Sequence, residues 1–118
     1  MSDIQRIYYN DFGIAFQWKQ DLEKKKYNQF QVIFRDTGFY LTFSQLENFA
    51  KLVKQAANRG CCNECKATNN CRSILLKTPA ANVDLAVSTK ELNHISDLLE
   101  GTLFHIKLNR YLEDVCWN

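Results

Sequence analysis

The sequence predicts an α+β fold: an antiparallel sheet of up to six strands built from hairpins, with two or three helices mainly on one face. Three observations carry this. Short stretches of alternating apolar and polar residues recur in pairs, each pair joined by turn residues. Two of these pairs run straight into a Ser-x-x-Glu sequence followed by apolar residues at helical spacing. The clean alternation suits an antiparallel sheet with one face on a core and the other face wet.

Taken in order, Ile4–Tyr9 and Ile14–Lys19 read as a first hairpin around Asn10-Asp11-Phe12-Gly13, where glycine is free to take a positive φ. Ile14, Phe16 and Trp18 alternate with Ala15, Gln17 and Lys19. Lys19–Asn28 is a polar break, read as a solvated loop or strand end. Gln29–Arg35 and Phe39–Phe43 form the clearest hairpin, with Asp36-Thr37-Gly38 as its connection. Ser44-Gln45-Leu46-Glu47 then reads as a capping box. Leu46, Phe49, Ala50, Val53, Ala56 and Ala57 make one apolar stripe, and Gly60 ends the helix.

The pattern returns after a cysteine-rich connector at 61–72. Ser73–Lys77 and Val83–Val87 read as strands, and Ser88-Thr89-Lys90-Glu91 is a second capping box, with Val87 and Leu92 as a hydrophobic staple. Leu92, Ile95, Leu98 and Leu99 form its stripe, and Gly101 is expected to end that helix. Thr102–Cys116 fits both periods. Phe104, Leu108, Tyr111, Leu112 and Val115 are helically spaced, while Phe104, Ile106 and Leu108 also alternate; length favours a helix over 108–116. Residues 29–60 and 73–101 thus read as a possible repeated ββα unit inside a single domain spanning 1–118.

Composition narrows the function classes. The net charge of +2 is too small to imply a nucleic-acid or membrane partner by itself. It is unevenly placed: residues 51–77 carry Lys51, Lys54, Arg59, Lys66, Arg72 and Lys77 against Glu64 alone. That segment is the basis for a nucleic-acid reading, an alternative to be tested by salt dependence. No apolar run approaches the ~18 residues of a membrane span. The amino-terminal residues lack the apolar core of a signal peptide, so the expected compartment is the cytoplasm, where thiols stay reduced.

Four of the five cysteines fall within residues 61–71. Cys62-x2-Cys65 lets two sulfurs face one tetrahedral ion, and Cys71 can close the loop. Cys61 is the adjacent fourth ligand, with Cys116, His105 and His94 as alternatives. The neighbouring Arg59, Lys66 and Arg72 favour the thiolate form. Zinc is the expected cofactor, if any. The competing reading is a thiol-redox enzyme using Cys62 and Cys65. It is weakened because the pair follows a helix end, whereas active couples sit at helix starts. Either histidine is more often structural than a ligand. No nucleophile elbow, phosphate loop or His-Glu-x-x-His is present. The preferred function is therefore a small non-catalytic interaction module acting on an unidentified protein partner or on itself.

The run Val32-Ile33-Phe34-Arg35-Asp36-Thr37-Gly38-Phe39-Tyr40-Leu41-Thr42-Phe43-Ser44-Gln45-Leu46-Glu47-Asn48-Phe49 resembles the central segment of a family of short uncharacterised bacterial proteins, a domain of unknown function. The resemblance covers residues 32–49: an apolar strand, a turn, Leu-x-Leu-Ser-like residues, then Glu-x-Phe. It implies cysteines ahead of that segment's first strand, whereas here they follow the helix. It implies no activity.

Overall fold

The computed structural model describes residues 3–25, 27–59, 72 and 74–116. The elements are β1 (Ile4–Tyr9), β2 (Gly13–Trp18), α1 (Lys19–Glu23), β3 (Phe30–Phe34), β4 (Thr37–Leu41), α2 (Phe43–Arg59), β5 (Ile74–Lys77), β6 (Asp84–Val87) and α3 (Thr89–Cys116). The fold is α+β, and all six expected strands form. β1 to β4 make an antiparallel sheet in chain order, and β5 and β6 pair in a separate two-stranded sheet.

The first turn is tied by Asn10, whose Oδ1 accepts from the Phe12 and Gly13 amides, both at 2.9 Å. Gly13 is required there: a Cβ would run into the Ile33 carbonyl, Phe34 Cβ and Leu98 Cδ2. Residues 19–23, read as loop from their polarity, make the short helix α1, and Tyr40 donates across to Asp21 at 2.6 Å.

The second hairpin turns one residue earlier than the glycine suggested. Phe34 pairs with Thr37, so Arg35 and Asp36 are the turn, and Gly38 lies within β4 opposite Ile33. Arg35 takes the left-handed conformation, φ 54°. Its guanidinium donates to the Ala86 carbonyl at 3.1 Å and lies 3.7 Å from Glu91. Local spacing cannot encode a tether to residues fifty positions away.

The first capping box is also displaced. Thr42 and Gln45 form it, not Ser44 and Glu47: the Thr42 amide donates to Gln45 Oε1 at 2.9 Å, and the Gln45 amide donates to Thr42 Oγ1 at 3.3 Å. Threonine and glutamine satisfy the same two orphan amides, so the helix starts at Phe43. The second box stands where expected, with the Ser88 amide on Glu91 Oε1 at 3.0 Å and the Glu91 amide on Ser88 Oγ at 3.1 Å.

Gly101 does not end a helix. α3 runs unbroken from Thr89 to Cys116, which also resolves the ambiguity over 102–116. The glycine serves a close approach instead. The Tyr8 ring lies across the helix at this point, and a Cβ would strike Tyr8 Cε2 and Cζ. A mid-helix glycine costs about 1 kcal/mol against alanine, and the ring contact accounts for its presence.

The core lies between one face of the larger sheet, α2, α3 and the β5–β6 hairpin. It includes Phe30, Val32, Phe34, Phe39 and Leu41 from the sheet, and Leu46, Phe49, Val53 and Ala56 from α2. Leu92, Ile95, Leu98, Leu99, Leu103 and Ile106 join from α3, and Ile74, Leu76 and Val87 from the small sheet. Ala57, expected in the stripe, is exposed. Both long helices cover the same sheet face. Ala15 pairs with Val32, so Ile14, Phe16 and Trp18 turn to the other face. There Trp18 meets Phe16 edge-on at 5.0 Å and donates to Gln31 at 3.2 Å.

Candidate functional site

The polar contacts converge on the start of α3. Glu91, at its first turn, has a side chain only 13% exposed. Arg72 grips it with two bonds, Nε to Oε1 at 2.9 Å and Nη2 to Oε2 at 3.0 Å. Arg35 approaches from the hairpin turn of the larger sheet. Burial pushes this carboxyl up. The hydrogen bonds from Arg72 and the Ser88 amide, with the charges of Arg35 and Arg72, outweigh that and hold it below its usual value. A hollow of about 390 Å³ opens beside it, lined by Phe12, Arg72, Ser88, Lys90, Glu91 and His94.

A second network ties the first hairpin to α3. Tyr8 donates to Asp97 at 3.0 Å, and Asn10 Nδ2 donates to Asp97 Oδ2 at 2.9 Å and to the His94 carbonyl at 3.0 Å. The hydrogen bond to Asp97 raises the Tyr8 phenol above its usual range, helped by desolvation and by the aspartate's charge. Asp21 raises Tyr40 in the same way. Both phenols are held protonated, the opposite of what an activated base needs.

The two histidines each stack on an aromatic of the first hairpin: His94 on Phe12 at 5.4 Å, His105 on Tyr8 at 5.5 Å. At 1.5 Å per residue, the eleven-residue step between them spans about 16 Å along α3, so they cannot share one ion. Cys116 closes the same helix about 33 Å beyond His94. Cys61, Cys62, Cys65 and Cys71 lie outside the described residues. Among the described residues, no three His, Cys, Asp or Glu side chains come together as a metal site.

Two cations of the basic segment are engaged by carboxylates: Arg72 as above, and Lys54 with Glu100 at 3.3 Å. A groove of about 950 Å³ runs between β1, α1 and the end of α3, with Arg6, Arg110, Glu23 and Glu113 of mixed sign on its walls. No described helix is long and apolar enough to cross a membrane.

One feature escaped the sequence reading. The helically spaced Phe104, Leu108, Tyr111 and Leu112 do not reach the core. They are 61%, 37%, 63% and 46% exposed. The core residues of α3, such as Leu99, Leu103 and Ile106, lie on its opposite side. The signal was available in the sequence: two apolar stripes on one helix cannot both face one core.

No curated protein and no solved structure matches the chain. A family model covers nearly all of it. By that match over residues 6–114, the chain belongs to a family of unknown function, DUF6686.

Proposed function

We propose that this chain is a cytoplasmic, non-catalytic interaction module that meets a protein partner through the outward side of α3. The observation that carries this is the exposure of Phe104, Leu108, Tyr111 and Leu112 along one helix side. Contiguous exposed apolar rows mark contact surfaces in proteins of this size. The mixed-sign walls of the groove and the carboxylates on Lys54 and Arg72 favour a protein partner over nucleic acid. If the row is a contact surface and not a support of the fold, Leu108→Glu will leave the unfolding free energy of the dilute protein within about 0.5 kcal/mol of wild type. Urea unfolding at low micromolar concentration measures this. A loss of several kcal/mol would mean the row belongs to the core.

The same reading places a structural zinc ion in the connector, held by Cys62, Cys65, Cys71 and a fourth ligand. Cys61 and His94 are the stronger fourth-ligand candidates. His94 lines the same hollow as Arg72, the residue after Cys71, whereas His105 and Cys116 stand about 16 and 33 Å along α3 from His94. Protein purified without chelator is expected to carry about one equivalent of zinc with three or four protein ligands, read by elemental analysis. Folded protein free of metal would remove the zinc and leave the contact surface standing.

A further inference from the structure

The two layers that enclose the core both turn polar at the same end of the molecule. On α3 the core-facing side runs through Leu99, Leu103 and Ile106. At the same helical spacing it then reaches Arg110 and Glu113, with Asn109 beside them. On the sheet, Gln17 shares the inner face with Ala15, and Gln5 stands opposite Gln17 in β1. Between these polar ends lies the groove of about 950 Å³, with Leu22 and Glu23 of α1 on a third side. Apolar residues at these positions would extend the core. Polar ones line a space that suits a ligand with polar groups of its own.

The groove also meets a sheet edge. β1 is the outermost strand of its sheet. Lys19 donates to the Asp3 carbonyl at 3.1 Å, which makes those two a hydrogen-bonded pair. Antiparallel pairs alternate, so Gln5 bonds Gln17, while Ile4 and Arg6 turn their N–H and C=O groups away from β2. Among the described residues no strand lies beyond that edge. Gln5 and Arg6 both line the groove although their side chains point to opposite faces, so the main chain of β1 is part of the wall. The register shift between Arg6 and Tyr8 ends the regular edge, and the open stretch is short.

The charges fix the sign of the ligand. Both arginines of the groove are engaged by their own chain. Arg6 lies over the Tyr9 ring at 5.1 Å, and Arg110 lies over Phe43 at 4.6 Å and donates to Asn28 at 3.4 Å. Glu23 and Glu113, on α1 and α3, form no ion pair among the described residues. We propose that this groove binds an extended basic peptide segment, which adds as a strand beside Ile4–Arg6 and sets a lysine or arginine between Glu23 and Glu113. A peptide main chain supplies the partners that the strand edge lacks, and the carboxamides of Gln5 and Asn109 can bond further peptide groups. A small cation would meet the carboxylates and leave the edge bare. This goes beyond the contact through the outward side of α3 and does not depend on it.

A phage-displayed library of random octapeptides, panned against the full chain, tests the proposal. The expected result is a set of binders with a lysine or arginine at one fixed position. For a synthetic peptide of that sequence, Glu23→Gln and Glu113→Gln each weaken binding about three- to tenfold, and added salt weakens it further. Deuterium exchange at the Ile4 and Arg6 amides slows when the peptide binds, which a purely electrostatic contact would not cause. No enrichment, binders without a basic residue, or unchanged exchange at Ile4 and Arg6 overturns the proposal. So does putrescine binding as tightly as the peptide, which would leave a small-cation site. Failure of the α3 contact surface appears separately, as unfolding of dilute Leu108→Glu.

Discussion

Phe34→Ala is expected to cost about 3–5 kcal/mol, a large part of the 5–15 kcal/mol that holds a typical domain together. Phe34 is 1% exposed and is among the largest fully buried side chains. Its ring lies 5.7 Å from Phe12, 5.8 Å from Phe39 and 6.4 Å from Phe49. It therefore joins the first turn, β4 and α2 in one cluster. Truncation removes the transfer energy of a benzyl group and leaves a void that rings held on three separate elements cannot collapse to fill. The melting temperature should fall on the order of 10–20 °C. Phe104→Ala is the matched control. It deletes the same atoms from an exposed site and should change stability by less than about 0.5 kcal/mol in the monomer. Equal losses from the two variants would contradict the burial of one and the exposure of the other.

That pair also shows how far the sequence could be read. Period-two and helical spacing located every strand and both long helices, because each needs an apolar face and the backbone sets its repeat. Periodicity reports that a face exists, not which way it points. In β2, Ile14, Phe16 and Trp18 are the larger apolar set. Yet the register against β3 gives the core side to Ala15. In α3 the second stripe has correct helical spacing and faces away from the core. Both outcomes depend on which element lies opposite, and strand or helix spacing holds no information about that.

The punctuation was less legible for a related reason. Gly38 and Gly101 carry the usual signals for a turn and a helix end, but each conformation was settled by a distant partner. Arg35 is held at positive φ by a guanidinium fastened to β6 and Glu91. At Gly101 the helix continues, and the missing Cβ leaves the space that the Tyr8 ring occupies. The Ser88–Glu91 box was legible because both partners lie within one turn of chain. Its further role was not, since Arg35 and Arg72 arrive from fifty-six residues before and nineteen before.

Glu91→Ala should therefore cost more than the loss of a helix cap. The cap is worth about 1 kcal/mol. The paired bonds to Arg72 add about 1–2 kcal/mol, discounted because that arginine is 57% exposed. The expected total is about 2–3 kcal/mol, with Arg35 left short of its counter-charge. Glu91→Gln separates the two parts. Glutamine can still reach the Ser88 amide, so it keeps the cap and loses only the charge, at about 1 kcal/mol.

The charge has a pH signature of definite sign. The folded carboxyl titrates below its usual 4.5, so its protons bind more weakly in the folded state than in the unfolded one. The stabilisation is complete above the unfolded value, from about pH 5.5 upward, and is lost as pH falls through the lower folded value. Wild type should thus lose its advantage over Glu91→Gln as pH falls below the unfolded value and through the lower folded one, and the two urea midpoints should converge. Parallel curves across that range would mean that the clasp with Arg72 does not lower the Glu91 pKa on folding and gives its ionised form no net advantage. The tether between the end of the connector and the start of α3 would then rest on hydrogen bonds alone.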